Sequence, residues 1–320
     1  MVLSLLIKNK IYSNTWMAQP FPKRNPAMRE MQCSLAEGQC ILSGNGHRKV
    51  QDRTMTDSPI DMLFEAARAG DVAAAQDAIA QGARIRIDAE DEDGRTPLMC
   101  ALATWHFCPV AGGDYVACMK LLVAHNANIN HRDHDGNTSL MLAAEWGTAK
   151  AIDDLLSLGA NPNVVNDNKH TALMFATTSG HIHIARTLLE KGANPLLLNT
   201  SGSAAIHIAA DWDNVDFIAL FLENKVDINL RDAKGMTPLM RAALCGQETG
   251  ARYILSAGGD PSLTDRDGKT ALQHASTLAL WKMIEAAREN APSAKCTDIR
   301  RDVQESLRPY RKLRKPVPTI

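Results

Sequence analysis

The sequence predicts an all-α protein, a solenoid of about seven stacked helix-turn-helix units. Three observations support this fold class. One motif returns every 33 residues, and apolar residues follow each copy at helical spacing. Aromatic residues make up only 5% of the chain. A core of Ala, Leu and Ile with few rings favours close helix packing over an aromatic-rich β-sandwich.

The period is visible in a short motif. The string DGRTPLM at 93–99 returns as DGNTSLM at 135–141. The marker position then recurs at 136, 169, 202, 235 and 268, each 33 residues after the last, whereas the step from 94 to 136 is 42. One unit therefore carries an insertion, which we place at 106–114.

A short helix is predicted to begin at each motif. Thr96 and Thr237 are predicted N-caps, and Pro97 and Pro238 occupy the first helical position, where no amide donor is lost. Apolar residues then recur at i, i+3 and i+4 until a Gly such as Gly147 ends the helix.

A second helix follows in each unit. Its stripe is clearest at Ile182, Ala185, Leu188 and Leu189, before Gly192 closes the helix. Helices of fewer than about twelve residues are marginal in isolation, so each unit must bury its apolar faces against its neighbours.

Some units depart from the pattern at turn positions. Lys169 stands where other units have Gly, and Asn126 and Lys225 replace the Gly after the second helix. Positive φ at Lys169 costs roughly 1–2 kcal/mol, so we expect that turn to be slightly remodelled. Trp105 and Asp213 replace the Gly between the two helices, so we expect these inter-helix turns to differ from the rest.

We divide the chain into three segments. Residues 1–56 are basic and expected to be disordered, and residues 292–320 are expected to form an amphipathic helix with a basic tail. The array between them occupies 57–291. Its units are 57–91, 92–133 with the insertion, 134–166, 167–199, 200–232, 233–265 and 266–291.

The motif and its period resemble those of the ankyrin repeat. A second marker, LLxxGAN, at 155–161 and 188–194, strengthens the resemblance, which covers roughly three quarters of the chain. It implies an ankyrin-repeat α-solenoid with β-turn tips. It also implies non-catalytic protein binding on the concave face, as a scaffold, adaptor or inhibitor, without identifying the partner.

Charge is unevenly distributed along the chain. The net charge is −1, but residues 1–57 hold 8 Lys/Arg against 4 Asp/Glu, and residues 292–320 hold 8 against 3. The middle keeps 19 basic and 29 acidic residues. An acidic array disfavours nucleic acid and favours a protein partner with a basic surface.

No motif indicates catalysis. The chain lacks Gly-x-Ser-x-Gly, His-Glu-x-x-His and Gly-x-x-x-x-Gly-Lys, so we expect no enzyme activity and no cofactor. His131, Asp133, His134 and Asp135 form a cluster that we interpret as a solvated turn tip, with a metal site as the weaker alternative.

The resemblance also selects candidate partner-binding residues, because in ankyrin-repeat proteins the turn tips and the solvent-facing ends of the first helices line the concave side. In this chain they are His134, Asn137, Glu145, Trp146, His170, Ser179, Asp211, Trp212, Met236 and Leu244. Two further candidates are Trp105, which falls one position further on in the second unit, and Phe107, which belongs to the insertion.

Two tryptophans are the main candidate anchors. Trp146 and Trp212 stand at the same place in units two apart, each after an acid. Tryptophan is enriched among interface anchors, although rings that only cover the neighbouring unit's helix ends are an alternative. Packed helices lie about 10 Å apart, so the rings of Trp146 and Trp212 should be about 20 Å from each other, a spacing that suits an elongated partner better than a small molecule. The insertion is either a partner contact or a tolerated loop.

Location and assembly are predicted from weaker signals. Seven scattered cysteines favour free thiols in a reducing compartment. The sequence contains no run of 18 consecutive apolar residues, so we expect no membrane-spanning helix. We expect a cytoplasmic protein, with nuclear or organellar targeting left open. We expect a monomer, in which Ile299, Val303 and Leu307 either cap the last unit or bind a second copy.

Two other functions stay open. The array could recruit substrates for an enzyme that acts in trans, or it could be a self-associating regulator.

Overall fold

The structure is a computed structural model that describes residues 58–107 and 113–289. In these ranges the regular secondary structure is helical, apart from an isolated bridge between Thr264 and Thr270. The helices form pairs. The first helices of the pairs are α1 (Pro59–Ala69), α3 (Pro97–Phe107), α5 (Ser139–Trp146), α7 (Ala172–Ser179), α9 (Ala205–Asp211), α11 (Pro238–Cys245) and α13 (Ala271–His274). The second helices are α2 (Val72–Ala80), α4 (Tyr115–Ala124), α6 (Ala149–Ser157), α8 (Ile182–Glu190), α10 (Val215–Glu223), α12 (Glu248–Ser256) and α14 (Leu278–Glu289), and a short 3-10 helix spans Ala83–Arg86.

The helix pairs stack in chain order. Each first helix packs on the next first helix, and from α6 onward each second helix packs on the next second helix. One hydrophobic cluster runs through the stack from Leu63 to Ile284. The all-α solenoid predicted from the sequence is therefore confirmed, and helices of 4 to 12 residues gain their stability from neighbours.

Threonine caps start several of the first helices. Thr138, Thr171 and Thr237 each accept a hydrogen bond from the backbone N–H three residues later, at 3.3–3.4 Å. The cap predicted at Thr237 is confirmed. At Thr96 the predicted helix start is confirmed, because α3 begins at Pro97, but the predicted side-chain cap is wrong, because the buried Thr96 hydroxyl makes no hydrogen bond within the described residues.

An Asp or Asn organises each turn tip. Its Oδ1 accepts a hydrogen bond of 2.7–2.9 Å from the backbone N–H four residues later. The six residues that do this are Asp91, Asp133, Asn166, Asn199, Asp232 and Asp265. Successive tips are also joined by backbone hydrogen bonds, such as the 3.0 Å bond from Thr200 N–H to Asn168 O.

The tip that contains Lys169 keeps the common geometry. Lys169 adopts φ 56°, and Asn166 still accepts from the N–H groups of Asn168 and His170 at 3.0 and 2.8 Å. The expected remodelling is wrong, because the side-chain bonds hold the tip in shape despite the strained residue. Asn126 and Lys225 also adopt positive φ.

The two unusual inter-helix turns differ from each other. Asp213 takes the left-handed conformation of the Gly that it replaces, with φ 56°. Trp105 does not lie in a turn, because α3 continues through it to Phe107. The expected loop therefore begins later than His106, and residues 108–112 lie outside the described ranges.

A second ladder of side chains joins the loops after the second helices. Oδ1 of Asn130, Asn163 and Asn229 accepts from the backbone N–H 31 residues later, at 2.7–2.9 Å. These bonds link each loop to the corresponding loop of the next unit. Leu196 occupies the same register in the loop of the fourth unit.

The predictions for the two ends of the chain fall outside the described residues, which begin at 58 and end at 289. This applies to the segment 1–56 and to the amphipathic stretch at Ile299, Val303 and Leu307. Among the described helices, none combines the length and apolarity that a membrane crossing needs.

Candidate functional site

The candidate residues fall into two rows, which together we call the candidate face. The tip row lies on the turn tips, and the helix-end row lies at the C-terminal ends of α5, α7, α9 and α11. In the tip row, His134 is exposed, and its backbone N–H donates to the backbone carbonyl of Asp93 at 3.2 Å. Asn137 is half-buried, and its Oδ1 accepts from Nδ2 of Asn166 in the next tip at 2.8 Å.

His170 continues the row with a similar link between tips. Its Nε2 lies 3.1 Å from Nδ2 of Asn199, and its ring meets Phe175 edge-on at 5.7 Å. Burial lowers the pKa of His170, because the charged ring would lose hydration. A neutral ring with an unprotonated Nε2 accepts from the Asn199 amide.

Met236 does not belong to the exposed part of the tip row. Met236 is only 5% exposed and belongs to the continuous hydrophobic cluster. The expectation that Met236 faces solvent is wrong, since the tip folds this side chain inward, and we leave it out of the candidate face.

The helix-end row begins with Glu145 and Trp146 on α5. Glu145 is exposed, and its carbonyl lies 3.2 Å from Nε2 of His181. Trp146 is partly buried and packs against the hydrophobic cluster. Ser179 of α7 is exposed at the matching position of the next unit. Trp146 therefore has a structural contact that any binding role must share.

Trp212 is the more exposed tryptophan of the row. It follows the last residue of α9 and is 50% exposed. The residues on either side of it are both acids, and both acids are held by the following unit. Trp212 is therefore an exposed ring on a fixed backbone.

The acid before Trp212 is held by an ion pair. Arg241 of α11 donates through Nε to Asp211 Oδ1 at 2.8 Å and through Nη2 to Asp211 Oδ2. Nε2 of Gln247 donates to the carbonyl of Asp211 at 2.6 Å, and the Cys245 thiol lies 3.6 Å from Oδ1. A bidentate Arg–carboxylate pair fixes orientation as well as distance.

The acid after Trp212 is held by a backbone group. Oδ1 of Asp213 accepts from the N–H of Gly250 in α12. A side chain on Gly250 would crowd the same oxygen, since an added Cβ would lie 2.9 Å from it. Small size at Gly250 thus permits the contact.

Arg241 also faces a buried acid and a buried histidine. Its Nη1 lies 3.8 Å from Oδ2 of Asp232, whose side chain is fully buried. His207 accepts from Ala204 N–H through Nδ1 at 3.2 Å and lies 3.0 Å from Leu230 O through Nε2. Burial lowers the pKa of His207, and the nearby Asp232 opposes this only in part.

The remaining candidates are less informative. Leu244 is partly buried and packs against the cluster, and the side chains of Trp105 and Phe107 lie outside the described part of the structure. Burial, with Asp211 nearby, raises the pKa of Cys245 to about 12, so its thiol is protonated near neutral pH. Among the described residues, no three metal-ligating side chains come together.

The sequence reading missed Arg241, Gln247 and Gly250, which hold the two acids. One signal was available for Arg241. It stands at an apolar register, where Leu142 and Ile208 lie in other units, and a charge at such a register demands a buried partner.

The comparisons with known proteins agree with this architecture. A family model described as "Ankyrin repeats (3 copies)" matches residues 63–166, 105–199, 148–232, 192–265 and 220–289. The chain is 39% identical to zebrafish (Danio rerio) Inversin over 74 residues, 23% of this chain and 6% of Inversin. It is 37% identical to mouse (Mus musculus) Inversin over 99 residues, 31% of this chain and 8% of Inversin. The chain thus matches less than a tenth of these relatives' length.

Among solved structures, the ankyrin repeat domain of Bcl-3, a member of the IkappaB protein family, superposes with a TM-score of 0.62. The match covers 70% of this chain and 97% of that domain at 22% identity, and so concerns the fold alone.

Proposed function

The chain belongs to the ankyrin-repeat family, and from that premise we propose that it binds a protein partner along the candidate face, as a scaffold, adaptor or inhibitor. Ankyrin repeats indicate a protein–protein interaction module, and the fold is typically non-catalytic. The proposal adds the place of contact, which the resemblance implies is the concave side, and the chemistry of the partner.

The observation that carries the proposal is the exposed Trp212 between two acids that the next unit fixes. Tryptophan is among the commonest hot-spot residues, and an anchor that is already ordered loses little entropy on binding. Asp211 and Asp213 are occupied within the chain, so they position Trp212 and leave the contact to the ring. Ser179 and the partly buried Trp146 extend the same row.

The partner's contact surface is basic in this proposal. The middle of the chain holds 29 acidic against 19 basic residues. Such an excess steers a basic partner toward the array and weakens its attraction as salt rises.

The proposed working state is a monomer in the cytoplasm. Among the described residues, Cys118 and Cys245 are free thiols, as a reducing compartment favours.

Affinity capture from a native extract, with quantitative mass spectrometry, tests the proposal. The full chain is compared with a Trp146→Ala/Trp212→Ala variant and with Trp281→Ala, a matched control at another exposed tryptophan on α14. We expect a basic protein to be retained by the control and lost from the double variant. We expect the partner's affinity for the chain to fall roughly 30-fold or more for each tryptophan removed, which corresponds to a loss of about 2 kcal/mol of binding free energy per residue.

Circular dichroism of each variant accompanies the capture. Equal capture by all three proteins, with the helical signal intact, would place binding elsewhere. A much lower unfolding temperature for Trp212→Ala would make that ring structural and remove the main support for the proposal.

A further inference from the structure

An exposed leucine interrupts the asparagine ladder between the fourth and fifth units. In the preceding unit, Asn163 Oδ1 accepts from Asn194 N–H at 2.7 Å, and its Nδ2 donates to Gly192 O at 3.0 Å. In the following one, Asn229 Oδ1 accepts from Asp260 N–H at 2.9 Å, and its Nδ2 lies 3.4 Å from Gly258 O. Leu196 stands at the position that corresponds to Asn163 and Asn229, and its side chain offers neither an acceptor nor a donor.

The interruption has a structural cost. The groups that would pair with a side chain at 196 are the N–H of Asp227 and the carbonyl of Lys225, by the 31- and 29-residue spacings of the neighbouring rungs. Within the described residues, no side chain replaces the missing acceptor for Asp227 N–H. A net hydrogen bond contributes about 1 kcal/mol, so folding alone favours Asn at this position.

The leucine does not compensate by packing. Leu196 is 52% exposed, and Leu198, two residues on, is 42% exposed. Leu197 between them packs against the hydrophobic cluster. Leu196 ends the turn at 195–196 and Leu198 follows directly after it, so the two exposed leucines lie on one loop. We call these two residues the leucine patch.

Charge beside the patch is basic. Arg231 stands at the register of Leu198 one unit later, and its Nη1 donates to the neutral carbonyl of Thr264 at 2.7 Å. Arg231 and Lys225 are exposed, and neither forms an ion pair with a carboxylate in the described ranges. The nearby Asp227 has one carboxylate oxygen engaged by Asn229 N–H at 2.9 Å. On the other side of Leu198, the same register holds the half-buried Val165.

We propose that the leucine patch is a second binding surface, which takes an extended peptide segment with apolar side chains followed by an acidic residue. The apolar side chains cover Leu196, Leu198 and Val165, and the acid pairs with Arg231 or Lys225. Neighbouring units lie about 10 Å apart, which corresponds to about three extended residues between the apolar anchor and the acid. This surface is separate from the candidate face, so the proposal does not depend on Trp212.

The first part of the test measures thermal stability and uses the residue that other units carry at the same position. Leu196→Asn restores the ladder, and we expect it to raise the unfolding temperature of the full chain by about 2–4 °C. Asn163→Leu removes an equivalent rung, and we expect a fall of similar size. If Leu196→Asn lowers the unfolding temperature, Leu196 is a packing residue and the proposal fails.

The binding half uses a phage-displayed library of random 12-residue peptides, selected against the immobilised full chain. We expect enriched peptides to carry apolar residues with Asp or Glu about three positions away. A synthetic copy of the most enriched peptide is then titrated against the variants. Leu196→Asn/Leu198→Ser should weaken its binding about tenfold or more. Leu278→Asn, at an exposed leucine of α14, is the matched control and should leave it unchanged.

Other outcomes would overturn the proposal. They are the absence of enriched peptides, enrichment of basic peptides, and binding that survives Leu196→Asn/Leu198→Ser. A dimer in light scattering that this variant converts to a monomer would assign the surface to a second copy of the chain instead. Peptide binding that survives in Trp146→Ala/Trp212→Ala would support the leucine patch whatever the fate of the candidate face.

Discussion

Arg241 illustrates how a single residue can serve both the fold and the site. Its side chain is 11% exposed and forms ion pairs with two acids, whose side chains are 19% exposed at Asp211 and 0% exposed at Asp232. Removing one member of a buried ion pair is more costly than never having had the pair, because the other charge stays buried alone. The same residue holds the backbone next to Trp212.

We predict that Arg241→Leu lowers the free energy of unfolding by about 3 kcal/mol. Leucine is chosen because Leu142 fills this register in another unit, so the loss reports the charge rather than the volume. Urea denaturation measures it. Arg186→Ala, which removes an exposed pair with Glu223, is the control and should cost less than about 1 kcal/mol. A loss below about 1 kcal/mol for Arg241→Leu would mean that the acids rehydrate freely.

His207 gives the stability of the array a pH dependence. Its pKa is lowered in the folded state, so the unfolded chain binds the proton more readily. Stability from neutral His207 is therefore complete above the ordinary pKa of about 6.5 and is lost as pH falls below it. His170, whose pKa is lowered by burial, acts in the same direction.

We predict that His207→Gln makes the unfolding free energy less dependent on pH between 7 and 5. Gln is suited to the position, because Gln273 Oε1 accepts from Thr270 N–H at 2.8 Å just as His207 accepts from Ala204 N–H. Urea titrations at several pH values check this. An unchanged slope would show that His207 is not a source of the dependence.

At the scale of the element, the turn tip is the best-defined part of the array. An Asp or Asn at its start, a left-handed residue three positions later and backbone bonds to the next tip recur in unit after unit. Lys169 replaces the Gly of the other tips, yet it adopts the same left-handed backbone conformation. The tip's hydrogen bonds therefore impose the conformation, and Lys169 carries the strain.

We predict that Lys169→Gly stabilises the protein by about 1 kcal/mol, because glycine adopts the left-handed conformation without a Cβ clash. Differential scanning calorimetry would detect the higher unfolding temperature. Lys234→Gly, one position before the left-handed Gly235, is the control and should not stabilise. A neutral or destabilising Lys169→Gly would mean that the lysine has contacts worth more than the strain.

Elements and their order could be predicted from the sequence, since a 33-residue period with helical stripes leaves few alternatives. The missed features depend on contacts between units. Burial of Met236 follows from how the tip folds inward, and the continuation of α3 past Trp105 overrides the pattern of the other units. The Asp211–Arg241 pair joins residues 30 apart, which no local pattern reveals.

At the scale of the whole molecule, a repeat array offers more than one surface. One row of first-helix ends holds Trp212, and the loops after the second helices hold Leu196 and Leu198. Since each unit is a control for the others, a residue that breaks a repeated structural role indicates another role. Leu196, at a position where Asn130, Asn163 and Asn229 hold the next loop, is a departure of this kind.

The most direct test of the central claim is a hydrogen–deuterium exchange footprint of the captured partner on the full chain. We predict slower amide exchange at the C-terminal ends of α5, α7 and α9, which contain or adjoin Trp146, Ser179 and Trp212. This protection should disappear in Trp146→Ala/Trp212→Ala and persist in Trp281→Ala. Protection confined to the second helices α6, α8 and α10 would contradict binding on the candidate face.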